Sequence, residues 1–137
     1  MNVARISMAV VMAVALESAA LAAGLDFETY RTKVEPIFLK KRPGHARCVV
    51  CHSANSSAFH LEPFTPGATA WTEEQSRRNF ESVSRLVKAG DPAASALLLH
   101  PLAPEAGGDY FHGGGRQFAS REDAEWRAIA AWVGAAK

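Results

Sequence analysis

Several shortages narrow what this 137-residue chain can be. Cysteine occurs only at Cys48 and Cys51, too few for the disulfide framework that staples small exported domains. Methionine occurs only at Met1, Met8 and Met12. Neither sign of charge dominates: 15 Lys and Arg stand against 14 Asp and Glu, a net charge of +1. That balance argues against nucleic acid as a partner, which calls for a strong basic excess. There is no second C-x-x-C and no H-x-x-x-H to complete a zinc shell. A G-x-S-x-G nucleophile elbow is also missing, so His112-Gly113-Gly114-Gly115 has no partner for a lipase-type oxyanion loop. No G-K-[ST] follows those glycines, which removes a phosphate-binding loop. Alternating β pattern, internal repeat and low-complexity tract are all lacking.

The N-terminus has the three parts of a secretory signal peptide. Arg5 supplies a positive start, Ile6 to Leu16 an apolar run of 11 residues, and Ala20-Leu21-Ala22 a small-x-small cleavage site. The expected leader is 1–22, with the domain over 23–137 beginning at Ala23. The run falls short of the about 20 residues that span a bilayer, and Glu17 interrupts it. An uncleaved N-terminal anchor is the alternative; the preferred reading has no stable membrane insertion after cleavage. No cysteine stands at the end of the run to carry a lipid. Cleavage removes one charge of each sign, so the domain keeps a net charge near +1.

The most specific feature is Cys48-Val49-Val50-Cys51-His52. C-x-x-C-H is the attachment pattern for c-type haem. Two thiols three positions apart can each add to one vinyl group, and the following imidazole can sit under the iron. Cys48 and Cys51 are therefore the candidate thioether anchors of one haem c. His52 is the candidate proximal iron ligand. Export agrees with this, because haem is attached to such motifs outside the cytoplasm. A thioredoxin-like pair would need βαβ surroundings. A plain Cys48–Cys51 disulfide is the simplest competitor.

The rest reads as helices joined by irregular segments. A first helix is expected from an Asp26 cap to about Lys41, with Phe27, Tyr30, Val34, Ile37 and Phe38 on one face. Pro36 should bend or interrupt it. Residues 53–71 show no period; Phe59, Leu61, Phe64 and Trp71 are candidates for a cofactor pocket or for ordinary packing. Thr72 to Gln75 forms a capping box that opens a helix ended by Gly90. Asp91-Pro92 opens another, running to His100. Residues 101–119 form a loop with five glycines, two prolines and His112. Ser120 with Asp123 opens the last helix, with Trp126, Ile129, Ala130 and Val133 on one face. Lys40, Lys41, Arg42 and Arg47 crowd the approach to Cys48, either as an ordinary solvated helix end or as a basic rim that steers acidic partners.

This order resembles a single-haem, class I type cytochrome c domain of exported bacterial proteins. An aromatic N-terminal helix precedes CVVCH, a loop precedes the final helix, and that helix ends in Ile129-Ala130-Ala131-Trp132-Val133. The resemblance implies an all-α fold of three to five helices, with long loops wrapped around one covalently attached haem. It implies that the first and last helices cross beside the haem. It also implies a carbonyl partner for the outer nitrogen of His52, with Pro63 best placed and Pro66 as the alternative. Arg47 or Arg116 would meet a haem propionate.

The chain departs from the family at one point. The family takes a methionine as sixth ligand from the loop before the last helix, and here every methionine lies in the leader. His112 occupies that loop position and is the expected sixth ligand. His100, His60, His45 and an open or water-filled position are the alternatives. The function expected is a periplasmic carrier of single electrons that works with redox partner proteins, or as a subunit of a larger redox assembly, rather than an enzyme. A bis-histidine iron should have a lower potential than a His/Met one. The competing reading is a haem-based small-ligand sensor or a peroxidase-like enzyme with an open or labile sixth position.

Overall fold

The structure, a computed structural model, describes residues 24–54 and 57–137. The expected leader, its cleavage site and all three methionines lie outside them. Among the described residues the regular structure is helical with no strand, and an isolated parallel bridge pairs Leu102 with Phe118. No helix among them is long and apolar enough to cross a membrane.

The first helical segment is continuous but changes pitch. Helix α1 (Phe27–Thr29) is capped by Asp26, whose carboxylate accepts the Thr29 N–H. A π turn follows over Tyr30–Val34, and α2 (Glu35–Leu39) completes the segment. The expected break at Pro36 is absorbed by that wide turn. The Glu35 N–H reaches back five residues to Tyr30 O. The widened turn accommodates a proline ring that would otherwise collide with the carbonyl four residues earlier.

Helix α3 (Cys48–His52) holds the C-x-x-C-H motif, and residues 57–71 form no regular element. Helix α4 (Glu73–Ser84) opens with the expected capping box, Thr72 accepting from the Gln75 N–H and Gln75 from the Thr72 N–H. It stops well before Gly90. The expected single helix over 92–100 is two pieces, a 3-10 turn at Pro92–Ala94 and α5 (Ala96–Leu99). Ser95 causes the break. Its buried hydroxyl accepts the Lys88 N–H and donates to Asp91 O, so its side chain competes with a helical path. A 3-10 turn lies at Pro104–Ala106. Helix α6 (Ala124–Gly134) starts later than expected. Asp123, not Ser120, is its N-cap, accepting the N–H groups of Glu125 and Trp126.

One apolar core joins these pieces. Trp132 lies against Tyr30, 5.6 Å between ring centroids, and its indole N–H donates to Asp26 O at 2.9 Å. Trp126 donates to Leu98 O, tying α6 to α5. Val34, Leu61, Val83, Leu98, Leu102, Ile129 and Val133 are fully enclosed or nearly so. A polar cluster lies inside. Glu35 accepts from Ser76 Oγ at 2.7 Å, with Tyr30 and Asn79 beside it. Burial raises the Glu35 carboxyl and, assisted by that carboxylate, the Tyr30 hydroxyl above their ordinary values.

The basic run before Cys48 has a structural use that its sequence does not disclose. Arg42 reaches Asp123 at 3.2 Å, Glu125 and the carbonyl of Gln117, and its guanidinium lies over the Phe118 ring. Lys40 also pairs with Glu125. The segment entering α3 is thereby tied to the start of α6 and to the end of the 101–119 loop.

Candidate functional site

A cavity of about 580 Å³ opens beside α3, within the range of cofactor pockets. Its apolar walls include Ile37 and Phe38 from α2, Phe59, Leu86, Leu97 and Phe118. Cys48, Cys51 and His52 line it, as do His100 and His112. Helix α3 brings its three residues to one face because positions three and four apart on a helix are neighbours.

Both cysteines are free thiols. Burial raises the Cys48 thiol to about 11, with Arg42 acting weakly against that rise. Cys48 is therefore a neutral thiol in an apolar wall.

The two facing imidazoles are fixed in the same way. His52 Nδ1 lies 2.8 Å from Phe59 O. A carbonyl only accepts, so Nδ1 carries the proton and Nε2 is the unprotonated donor. His112 Nδ1 lies 2.5 Å from Gly115 O and likewise donates to a carbonyl. Such outer hydrogen bonds fix tautomer and ring direction in ligating histidines. Burial lowers the basicity of His52, partly offset by the Phe59 carbonyl and reinforced by His112 and His100, so its neutral form is favoured.

The rings of His52 and His112 stand 6.2 Å apart between centroids, 24° between planes. A metal ion between two imidazoles has two bonds of about 2 Å, and each ring centre lies roughly an ångström beyond its nitrogen. The observed separation fits such an ion. Among the described residues no group of three or more His, Cys, Asp or Glu side chains can hold a metal ion. A bare zinc needs four ligands, whereas porphyrin iron brings four nitrogens of its own and asks the protein for two. The donor set present, two imidazoles and two thiols lining one cavity, is of a kind that haem can use.

Other sequence candidates fall as follows. His100 reaches the cavity, and its Nδ1 lies 2.9 Å from Asp109 Oδ2. His45 sits against Gly115, outside the cavity lining. His60 is exposed and outside the cavity lining, its backbone N–H donating to Ser82 Oγ. Neither Pro63 nor Pro66 meets His52. The loop turns back early enough for Phe59 to reach it, and Pro63 O accepts from Gln75 instead. Of Phe59, Leu61, Phe64 and Trp71, only Phe59 lines the cavity. Leu61 joins the core, and Phe64 and Trp71 stack on each other. Arg47 lines the cavity and remains available to an acidic group there, while Arg116 holds the carbonyls of Tyr110 and His100. Sequence reasoning missed the His100–Asp109 pair, because no local pattern links residues nine apart across a loop.

Comparison with family models, curated proteins and solved structures returns no match.

Proposed function

We propose that the protein is an exported c-type cytochrome that carries single electrons on one haem. Cys48 and Cys51 would anchor it through thioethers, with His52 and His112 as axial ligands. The fold would be of the class I cytochrome c type, its loops wrapped around the haem, and the leader expected over 1–22 would deliver it for attachment. The observation that carries this reading is the pair of imidazoles 6.2 Å apart, both protonated at Nδ1, beside the two thiols of C-x-x-C-H. Bound haem supplies a one-electron ferric/ferrous couple.

The chain's own residues do the rest. The carbonyls of Phe59 and Gly115 hold the two rings, so the donors keep their positions when the charge between them changes. Phe38, Phe59, Leu97 and Phe118 exclude water from the cavity and lower its dielectric response. With no methionine in the domain, a bis-imidazole site should give a potential below that of a His/Met site. Redox partner proteins, or a larger redox assembly, would exchange electrons with it.

The test is expression with the full leader in a host that attaches haem outside its cytoplasm. The exported chain should gain the mass of one haem under denaturing conditions, and Cys48→Ala with Cys51→Ala should abolish the gain. Ferric protein should be low-spin and titrate reversibly as a one-electron couple of low potential. An exported chain without haem would overturn the reading. A potential like that of a His/Met cytochrome would overturn the ligand pair, and prompt complete carbon monoxide binding by the ferrous protein would favour a sensor or enzyme.

A further inference from the structure

We propose that the distal side holds two exchangeable axial donors, His112 in the glycine loop and His100 at the end of α5. His100 takes the same position when the loop draws His112 away. The proposal rests on the haem reading above and concerns how its sixth position is kept filled.

His100 lines the same cavity as His52 and His112. Its ring stands edge-on to that of His112, 5.0 Å between centroids and 89° between planes. The Asp109 carboxylate holds its Nδ1 at 2.9 Å. A carboxylate oxygen accepts, so His100 turns its Nδ1 to Asp109 and its Nε2 away from it, as the other two rings turn Nδ1 to their carbonyls. Three imidazoles around one cavity are therefore oriented by the device that prepares histidine for a metal.

The supports of the two distal rings differ. His100 follows α5 directly and its N–H donates to Ala96 O at 3.0 Å. Asp109 is held to the same element, its N–H donating to Leu99 O at 3.0 Å. His112 lies beyond Tyr110 and Phe111, which are 93% and 72% exposed. Side chains built at Gly113 and Gly114 would meet only Phe111 and His112 of the same loop. Arg116 ties the carbonyls of Tyr110 and His100 together and His45 lies against Gly115, so a shift that draws His112 away is confined to the tip between those ties, around Gly113 and Gly114. In the exchange one iron–nitrogen bond breaks at His112 and one forms at His100 Nε2. Each ring keeps its Nδ1 proton, so no charge changes. The position opposite His52 would open as His112 leaves and would be filled again once His100 arrives.

The experiment compares His112→Ala, His100→Ala and the double variant by ferric optical and EPR spectra and by carbon monoxide titration of the ferrous forms. Both single variants should remain low-spin, and the double variant should turn high-spin. If His100 fills the position in about nine molecules of ten, His112→Ala should bind carbon monoxide about tenfold more weakly than the double variant. Adding Asp109→Leu to His112→Ala, a change at a half-exposed side chain, should raise the high-spin fraction. A His112→Ala protein as high-spin and as reactive as the double variant would overturn the proposal. So would a double variant that stays low-spin, which would assign the position to another donor. Failure of the haem reading itself would be seen first and separately, as wild-type protein without covalent haem.

Discussion

Arg42 is a demanding test of how the entry to α3 is held. Its side chain is 16% exposed and serves Gln117 O at 3.0 Å, Asp123 at 3.2 Å and Glu125, with the Phe118 ring 4.6 Å from the guanidinium carbon. Arg42→Met keeps much of the aliphatic stem and deletes every charged contact. Hydrogen bonds between charged groups contribute about 1.5–3 kcal/mol each, and breaking a buried pair costs about 3–5 kcal/mol. Two features moderate the loss here. Asp123 still accepts two backbone N–H groups at the α6 cap, and Lys40 still pairs with Glu125. The expected loss is therefore about 2–4 kcal/mol, a large share of the about 5–15 kcal/mol that stabilises a domain. At about 4 °C per kcal/mol the melting temperature should fall by roughly 10 °C. Urea unfolding of the parent, Arg42→Met, Glu125→Gln and the double variant would measure it, with a coupling of about 1 kcal/mol or more between the two sites. The loss should persist in about 1 M salt, because the pair is poorly exposed to screening ions. A loss under about 0.5 kcal/mol with no coupling would refute the argument and reduce the cluster to a solvated surface pair.

Two further substitutions probe the polar interior and the loop. Burial raises the Glu35 carboxyl above its ordinary 4.5, so the unfolded chain loses that proton first and the folded state loses stability as pH rises through the interval. Glu35→Gln should therefore raise the melting temperature at about pH 8, with the gain shrinking towards zero near about pH 3.5; an equal gain at both would refute the assignment. A methyl group at Gly108 would overlap the Leu102 carbonyl, a backbone group that cannot turn aside, so Gly108→Ala should cost about 2 kcal/mol or more in urea unfolding. Gly113→Ala, whose added carbon meets only the Phe111 ring at 3.9 Å, should stay within about 0.5 kcal/mol, and equal costs at the two glycines would contradict the packing described.

Local chemistry was readable where one residue satisfies its own neighbours. Asp26 and the Thr72–Gln75 box mark helix starts in the sequence and do so in the structure, because a cap bond spans only a few residues. Ser120 was misleading for the same reason: Ser120 and Asp123 both suit a cap, and the carboxylate that also meets Arg42 prevails. Ser95 was invisible, since the buried hydroxyl that splits the 92–100 segment acts through Lys88 and Asp91 carbonyl and amide groups placed by the fold. At the cavity, the position of His112 in the loop before the last helix pointed to the side opposite His52, and the two rings do face one space. The partners that orient those rings were not readable. Phe59 O and Gly115 O are backbone acceptors that any residue could supply, so no side-chain signal marks them.

What holds the two imidazoles at their separation lies largely outside the cavity. His52 is carried by α3, whose approach is fixed by Arg42 to Asp123 and Glu125. His112 is carried by a loop whose two roots are clasped by the Leu102–Phe118 bridge, with Ala103 N–H to Phe118 O at 2.9 Å and Phe118 N–H to Pro101 O at 3.1 Å. Phe118 is also the ring beneath Arg42, and Gln117 O accepts from it. The support of the proximal ring and the support of the distal ring thus meet at one guanidinium. A change there should alter stability and ring separation together, whereas a change at Gly113–Gly114, between the ties made by Arg116 and His45, should move mainly His112. That difference lets loop motion and global loosening be told apart, because only the first leaves the unfolding midpoint where it was.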